Sequence, residues 1–250
     1  MSKDDLVTPN PWQALRRYTP ARIALGRSGG SLPTAAKLEF QLAHAAARDA
    51  VHSALELKDL REQLEPLGSP ILNVTSAAPN RESYLLRPDL GRRLAEEDEE
   101  KLEAYPDKGF DLVFVLADGL SATAVQRHAA PLLSLLLPRL EGWTLAPLVV
   151  VMQGRVAVGD PIGLALGAAH AVVLIGERPG LSAPDSLGVY VTREPRPGRN
   201  DAERNCISNV RPGGLGYAEA AAQLHALLTA ARCYGVTGVE LGRRERLGLT

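Results

Sequence analysis

Three short unbroken apolar runs stand out along the chain: Leu112–Ala117 (LVFVLA), Leu148–Met152 (LVVVM) and Ala171–Ile175 (AVVLI). Each has the length of a strand, and helix-compatible sequence separates each from the next. A strand that is apolar on both faces needs cover on both, so this alternation predicts βαβ units and a parallel sheet. Upstream, Pro33-Thr34 opens a helix predicted to reach Leu64, with Leu38, Leu42, Ala45, Ala46, Asp49, Val51 and Leu55 tracing its inward face. Glu65-Pro66-Leu67-Gly68 ends it. A second helical region is predicted over Ser83–Tyr105, where the acidic run AEEDEEKLEA reads as a solvated face. A last helix, Tyr217–Ala231, turns Ala220, Ala221, Leu224, Leu227 and Leu228 inward. The stretch up to Pro20, with Pro9 and Pro11, reads as an extended arm, and the basic tail RRERLGLT is expected to fray.

These elements predict an α/β fold: a Rossmann-like, mostly parallel sheet flanked by helices and preceded by a helical N-terminal part. The expected division is 1–105 for a helical arm and subdomain and 106–250 for the α/β domain. One segment breaks the alternation. After the apolar run ending at Ile175, some thirty-five residues to Pro212 carry many Gly, Pro, Arg, Asp and Asn and little apolar periodicity. Only Gly188-Val189-Tyr190-Val191-Thr192 looks like a strand. A long irregular segment inside a compact domain marks a functional loop, and a ligand is expected here.

Composition narrows the function classes. Hydrophobic residues are 45% and charged ones 23% of 250 residues, ordinary for a globular protein. A formal net charge of −1 gives no general attraction to nucleic acid or to an anionic membrane. The two cysteines, Cys206 and Cys233, have no metal-ligand spacing and fit a reducing cytosol better than a disulfide scaffold. No apolar run is long enough for a membrane span.

Ligands of open parallel sheets sit outside the carboxyl ends of the strands. Three such ends carry suggestive residues: Asp118-Gly119-Leu120-Ser121, Gln153-Gly154-Arg155-Val156 and Gly176-Glu177-Arg178-Pro179-Gly180. Asp118 reads as a general base or, more simply, as an Asx turn or helix cap. Glu177 with Arg178 reads as a ligand-orienting pair or a structural ion pair. Cys206 reads as a small buried or ligand-lining residue before a nucleophile, because no His lies near it in sequence. The five histidines form no metal-spaced set, and His170, directly before a strand, reads as packed. Ser121 lacks the Gly-x-Ser-x-Gly elbow, and Gly26–Gly30 matches no phosphate-binding loop. The residues alone point to an α/β domain that binds a polar small molecule and carries no catalytic constellation of its own.

The blocks GRVAVGDPIG (154–163), VVLIGERPGLSAPDSLG (172–188) and PRPGRNDAERNCISNVRPGGL (195–215) resemble the small (light) subunit of ethanolamine ammonia-lyase. So do NPWQALRRYTPARIALGRSGGSLPT and DLVFVLADGLSA. The resemblance runs in order along nearly the whole chain. It implies an adenosylcobalamin-dependent lyase that converts ethanolamine to acetaldehyde and ammonia by radical chemistry started at the cofactor's cobalt–carbon bond. It also implies that ethanolamine is bound mainly by the large subunit, that the small subunit covers the corrinoid at the interface, and that the large-small pairs form a ring-like hexamer. On this resemblance residues 106–250 become the cobalamin-binding domain, and Val156, Glu177 and Cys206 fall on cofactor-contacting positions. The chain has no Asp-x-His-x-x-Gly motif, so no residue of it is expected to ligate the metal. The short arm leaves placement in a protein-shelled microcompartment open beside the cytoplasm. Two other readings stand beside this one: a stand-alone hydrolase or transferase using Asp118, Ser121 and His128, and a non-catalytic scaffold subunit.

Overall fold

In a computed structural model, which describes residues 6–248, the three apolar runs form the centre of one six-stranded sheet. Its strands are β1 (Ile71–Thr75), β2 (Leu112–Ala117), β3 (Leu148–Met152), β4 (His170–Gly176), β5 (Leu187–Arg193) and β6 (Arg204–Val210). Their spatial order is β1-β3-β2-β4-β5-β6. The first four are parallel, whereas β5 and β6 return antiparallel along the β4 side. The expected α/β fold is present, and its likeness to a Rossmann sheet is confined to the parallel part. Every residue of β2 and β4 is buried, as strands covered on both faces must be.

The helices are α1 (Thr34–His52), α2 (Leu57–Leu64), α3 (Arg81–Leu86), α4 (Glu96–Glu103), α5 (Ala122–Leu136), α6 (Gly159–Ala165), α7 (Tyr217–Tyr234) and α8 (Val239–Leu247). On one face α2, α5 and α7 close over Leu112, Phe114, Leu116, Val172 and Leu174, continuing across Leu187, Val189, Val191 and Ile207. On the other face α4 and α6 close over Val113, Val115, Val149, Val151, Ala171 and Val173. Alternation along β5 therefore puts Gly188, Tyr190 and Thr192 on the α6 side. Among the described residues no helix is long and apolar enough to cross a membrane.

The N-terminal part departs from expectation in several places. The helix predicted over Thr34–Leu64 is two helices. Ser53 turns to extended backbone and its hydroxyl donates to the Asp49 carbonyl at 2.8 Å, the local competition that lets serine end a helix. Leu55 is thereby buried before α2 begins. The predicted inward face is also displaced: Leu38 and Leu42 are 58% and 73% exposed, while Ala36, Ala43, Ala47 and Ala50 turn toward the protein. The Ser83–Tyr105 region is α3, a 3-10 turn at Leu90–Arg92 and α4. Pro88 disfavours helical backbone at the residue before it, and Arg87 is where α3 stops.

Within the acidic run Glu96, Glu97 and Glu100 are solvated, but Asp98 is buried and accepts from the Thr75 amide and hydroxyl at 2.8 and 2.6 Å. Two strands were not anticipated. β1 lies inside the N-terminal part and joins the sheet edge beside β3. β6 occupies a stretch expected as loop. Its sequence, RNCISNV, is half polar because the strand lies at the sheet edge with several residues exposed. In the arm, Gln13–Tyr18 forms a 3-10 turn, and residues 1–5 lie outside the described part. The tail is helical through Leu247 as the end of α8.

Candidate functional site

The parallel strands deliver their carboxyl ends to one edge, and the antiparallel return adds the start of β5 and the end of β6 to it. At the β2 tip Asp118 is 2% exposed. Its Oδ1 accepts from the amides of Gly119 and Gly154 at 2.9 and 3.1 Å, and Arg81 Nη1 lies 3.6 Å from Oδ2. Burial pushes this carboxyl up, against the pull of the amides and of Arg81. The same guanidinium donates to the carbonyls of Val51 and Gly119 and stacks on Tyr84, whose hydroxyl donates to the Gly154 carbonyl. Burial raises the Tyr84 phenol to about 12. Asp118 thus has a structural role that ties β2 to β3, but as neither of the two devices expected: the Leu120 amide bonds the Gly176 carbonyl rather than closing an Asx turn, and α5 begins after Ser121. Gly119 has φ +59° and packs so closely on β4 that a Cβ there would lie 2.4 Å from the Gly176 carbonyl oxygen.

The β4 tip differs. Glu177 is half-buried. Its Oε2 accepts from the Ser186 hydroxyl at 2.5 Å and the Asn209 amide at 3.3 Å, and its Oε1 accepts from the Ser208 hydroxyl at 2.5 Å. Those donors come from the start of β5 and the end of β6, so the carboxylate pins three strand ends. A Cβ on Gly188 would lie 3.0 Å from both Glu177 Cγ and Oε1, so only glycine leaves the carboxylate this seat without displacement. Tyr190 pairs across the strands with Cys206. Cys206 is exposed on the α6 side of β6, on a strand and not in a loop, so of the two readings, buried or lining a ligand, the buried one is excluded. Burial pushes its thiol up, partly offset by the Tyr190 hydroxyl, and the nearby Glu177 charge raises it further. A thiol pushed up carries less thiolate, so nothing here activates Cys206 as a nucleophile.

Val156 opens the 3-10 turn after β3. It packs half-buried against the α6-side core, which Tyr190 also borders. It lines a cleft of about 1750 Å³ between residues 75–79, 92–99 and 197–201. Glu177 and Cys206 do not line that cleft. Glu177 therefore follows β4 and Cys206 lies on β6, joined through β5 between them, while Val156 follows β3 on the far side of the Asp118 tip of β2.

One pair that joins these pieces was not foreseen. Arg204, two residues before Cys206, donates to both oxygens of Asp160 at 2.8 and 2.7 Å, and also to the Thr192 hydroxyl at 2.7 Å and the Arg199 carbonyl at 3.1 Å. Both side chains are almost wholly buried. The pair clamps the edge strand to α6, the helix that follows Val156. Pairing between residues forty-four positions apart leaves no local signal in the sequence.

The residues of a stand-alone hydrolase do not converge. Ser121 donates to the Pro184 carbonyl at 2.9 Å. His128 faces the Tyr217 hydroxyl at 2.8 Å and Asp185 at 3.5 Å, and burial lowers its basicity. His170 is packed, its Nδ1 2.9 Å from the Asp111 carbonyl and its ring edge-on to Trp143. Among the described residues no cluster of three or more His, Cys, Asp or Glu side chains could hold a metal ion.

Residues 9–242 match the family described as Ethanolamine ammonia-lyase light chain (EutC). The chain is 59% identical over 246 residues to the ethanolamine ammonia-lyase small subunit of Azotobacter vinelandii, covering 96% of this chain and 91% of that one. It is 55% identical over 250 residues to that of Pseudomonas syringae pv. tomato (98% and 87%) and 58% identical over 224 residues to that of Ralstonia nicotianae (87% and 83%). The chain belongs to the ethanolamine ammonia-lyase light chain family.

Proposed function

We propose that this chain is the small subunit of ethanolamine ammonia-lyase and that it binds adenosylcobalamin against a large subunit, the pair deaminating ethanolamine to acetaldehyde and ammonia. The large-small pairs assemble as a ring-like hexamer in the cytoplasm, free or inside a protein-shelled microcompartment, and ethanolamine is held mainly by the large subunit. The observation that carries the cofactor reading is the open seat of Glu177. A carboxylate offers about four lone-pair sites. Oε1 of Glu177 accepts from one hydroxyl only, which leaves it able to take an amide N–H of a corrin side arm. Cys206, neutral and exposed beside Tyr190, and Val156, half-buried at a strand tip, supply small apolar contacts for the macrocycle.

When bound, adenosylcobalamin supplies the radical that activates substrate, and the protein supplies orientation and electrostatics. This chain contributes holding groups: the Glu177 carboxylate fixed by Ser186 and Ser208, and a rigid sheet edge clamped by Asp160 and Arg204. No residue of it acts as base or nucleophile in this reading. Glu177→Ala in the assembled enzyme is expected to weaken cofactor affinity about ten- to hundred-fold, the weight of one or two hydrogen bonds to a charged acceptor. Saturating cofactor should restore most of the ammonia release. Unchanged cofactor affinity would overturn the site.

A further inference from the structure

We infer that the N-terminal arm and the outer face of α1 form the docking surface for the large subunit, whose matching face is apolar at its centre and acidic at its rim. The inference rests on the family assignment, which implies a larger partner. Helix α1 buries only Ala50 along nineteen residues. Leu38 and Leu42, 58% and 73% exposed, point away from the protein, whereas Phe40, 45% exposed, lies on the opposite side of the helix and faces the arm. The arm adds Trp12 at 68%, Leu15 at 43%, Tyr18 at 72%, Ile23 at 37% and Leu32 at 59%.

At on the order of 100 Å² each, these eight side chains expose roughly 800 Å² of apolar surface spread over the N-terminal segment and both sides of α1, the amount one partner contributes to a standard interface. Arm and helix meet in an apolar groove of about 530 Å³ lined by Leu25, Leu32, Phe40 and Leu181, with Arg22 and Lys37 also on its walls.

Charge indicates what fits there. Residues 6–38 contain Arg16, Arg17, Arg22, Arg27 and Lys37 and no aspartate or glutamate, in a chain whose net charge is −1. Such local excess selects an acidic rim on the partner. Leu181 gives the surface its second meaning, since it lies four residues after Glu177 in the loop that leads to Ser186. Arg22 Nη2 sits 3.5 Å from its carbonyl oxygen. A partner seated on the arm and α1 would press on the loop that seats the cofactor carboxylate.

The test uses the full chain co-expressed with its large subunit. Leu38→Glu with Leu42→Glu keeps good helix formers at exposed positions, so circular dichroism and melting of the isolated variant should match the parent. Co-elution with the large subunit should fall at least ten-fold. Arg16→Glu with Arg17→Glu, which touches no buried group, should weaken the complex most at low salt, and it carries the test if the leucine variant misfolds. Undiminished co-elution of a folded leucine variant overturns the proposal. So does an isolated dimer that the leucine variant dissociates while the complex survives, because the occupant is then a second copy. Co-elution needs no cofactor, so failure here is distinguishable from failure of the Glu177 reading, where assembly persists and cofactor affinity does not change.

Discussion

Two strand tips on the same sheet edge carry an acidic residue next to a glycine, and they have opposite uses. At the β2 tip every hydrogen bond to Asp118 comes from backbone amides of the strand ends, and a guanidinium seals the remaining side. At the β4 tip two hydroxyls and one amide hold Glu177 while its outer oxygen keeps capacity to accept. The first arrangement satisfies a buried polar group and leaves it nothing to offer. The second fixes a carboxylate in place and leaves it facing outward. An acidic residue after a buried strand is therefore ambiguous by itself; the donors that surround it decide. One donor at each tip, Gly154 and Ser208, lies more than thirty residues away, out of reach of any reading of the local motif.

The comparison breaks most completely if the open tip loses its anchor. Arg204→Ala removes the cation from a buried bidentate pair and strands Asp160 in the interior. Removing one partner of such a pair costs about 3–5 kcal/mol, a large part of a typical total stability of about 5–15 kcal/mol. Urea denaturation should register the loss. Arg204→Met with Asp160→Leu should recover most of the stability, because no buried charge is left unpaired. A single variant within about 1 kcal/mol of the parent would mean that the clamp does not hold β6.

How much of this was legible from the sequence follows from which forces act locally. The central strands are apolar on both faces, and LVFVLA, LVVVM and AVVLI announce themselves by composition alone. The edge strands do not. ILNVT and RNCISNV lie at the sheet edges with several residues exposed, so polar residues interrupt them and their hydrogen-bond partners are remote. The α1 helix is legible as a helix, but its Leu38–Leu42 stripe reads as inward because an apolar stripe normally seeks the core of its own chain. That stripe lies outside instead. At the site, Glu177, Cys206 and Val156 came from family resemblance. The groups that seat Glu177, namely Ser186, Ser208 and Gly188, emerge only in three dimensions.

Acid sharpens the comparison by a smaller amount. Burial holds both His128 and His170 below the ordinary histidine range, so the unfolded chain takes up protons more readily than the folded one. Stability should then fall as pH drops from 7 through about 6.5 toward 5. Asp98 and Asp111, which are lowered from the ordinary carboxylate value, lose their contribution only near or below about pH 4, outside this window. His128 lies 3.5 Å from Asp185, the neighbour of the Ser186 that bonds Glu177, so its charging acts beside the open tip. Melting temperatures of His128→Gln across pH 5–7 should slope less than those of the parent. An equal slope would remove His128 from the account.

The smallest effect is expected at Cys206, and it tests whether the open tip is open for a ligand. Cys206→Ser keeps the size of the side chain and trades a weakly polar group for a hydroxyl, so cofactor affinity should change by less than about five-fold. Labelling is the more telling measurement. Because the surroundings of its sulfur push the Cys206 thiol up, iodoacetamide should react with it slowly at pH 7 and faster as pH rises. Cys233, exposed on α7, serves as the internal reference in the same digest. With large subunit and adenosylcobalamin added together, labelling of Cys206 relative to Cys233 should drop several-fold, and omission of the cofactor should restore part of it. If the ratio is the same with and without cobalamin, the β6 face bears no corrinoid, and the contrast between the two tips reduces to a difference in burial.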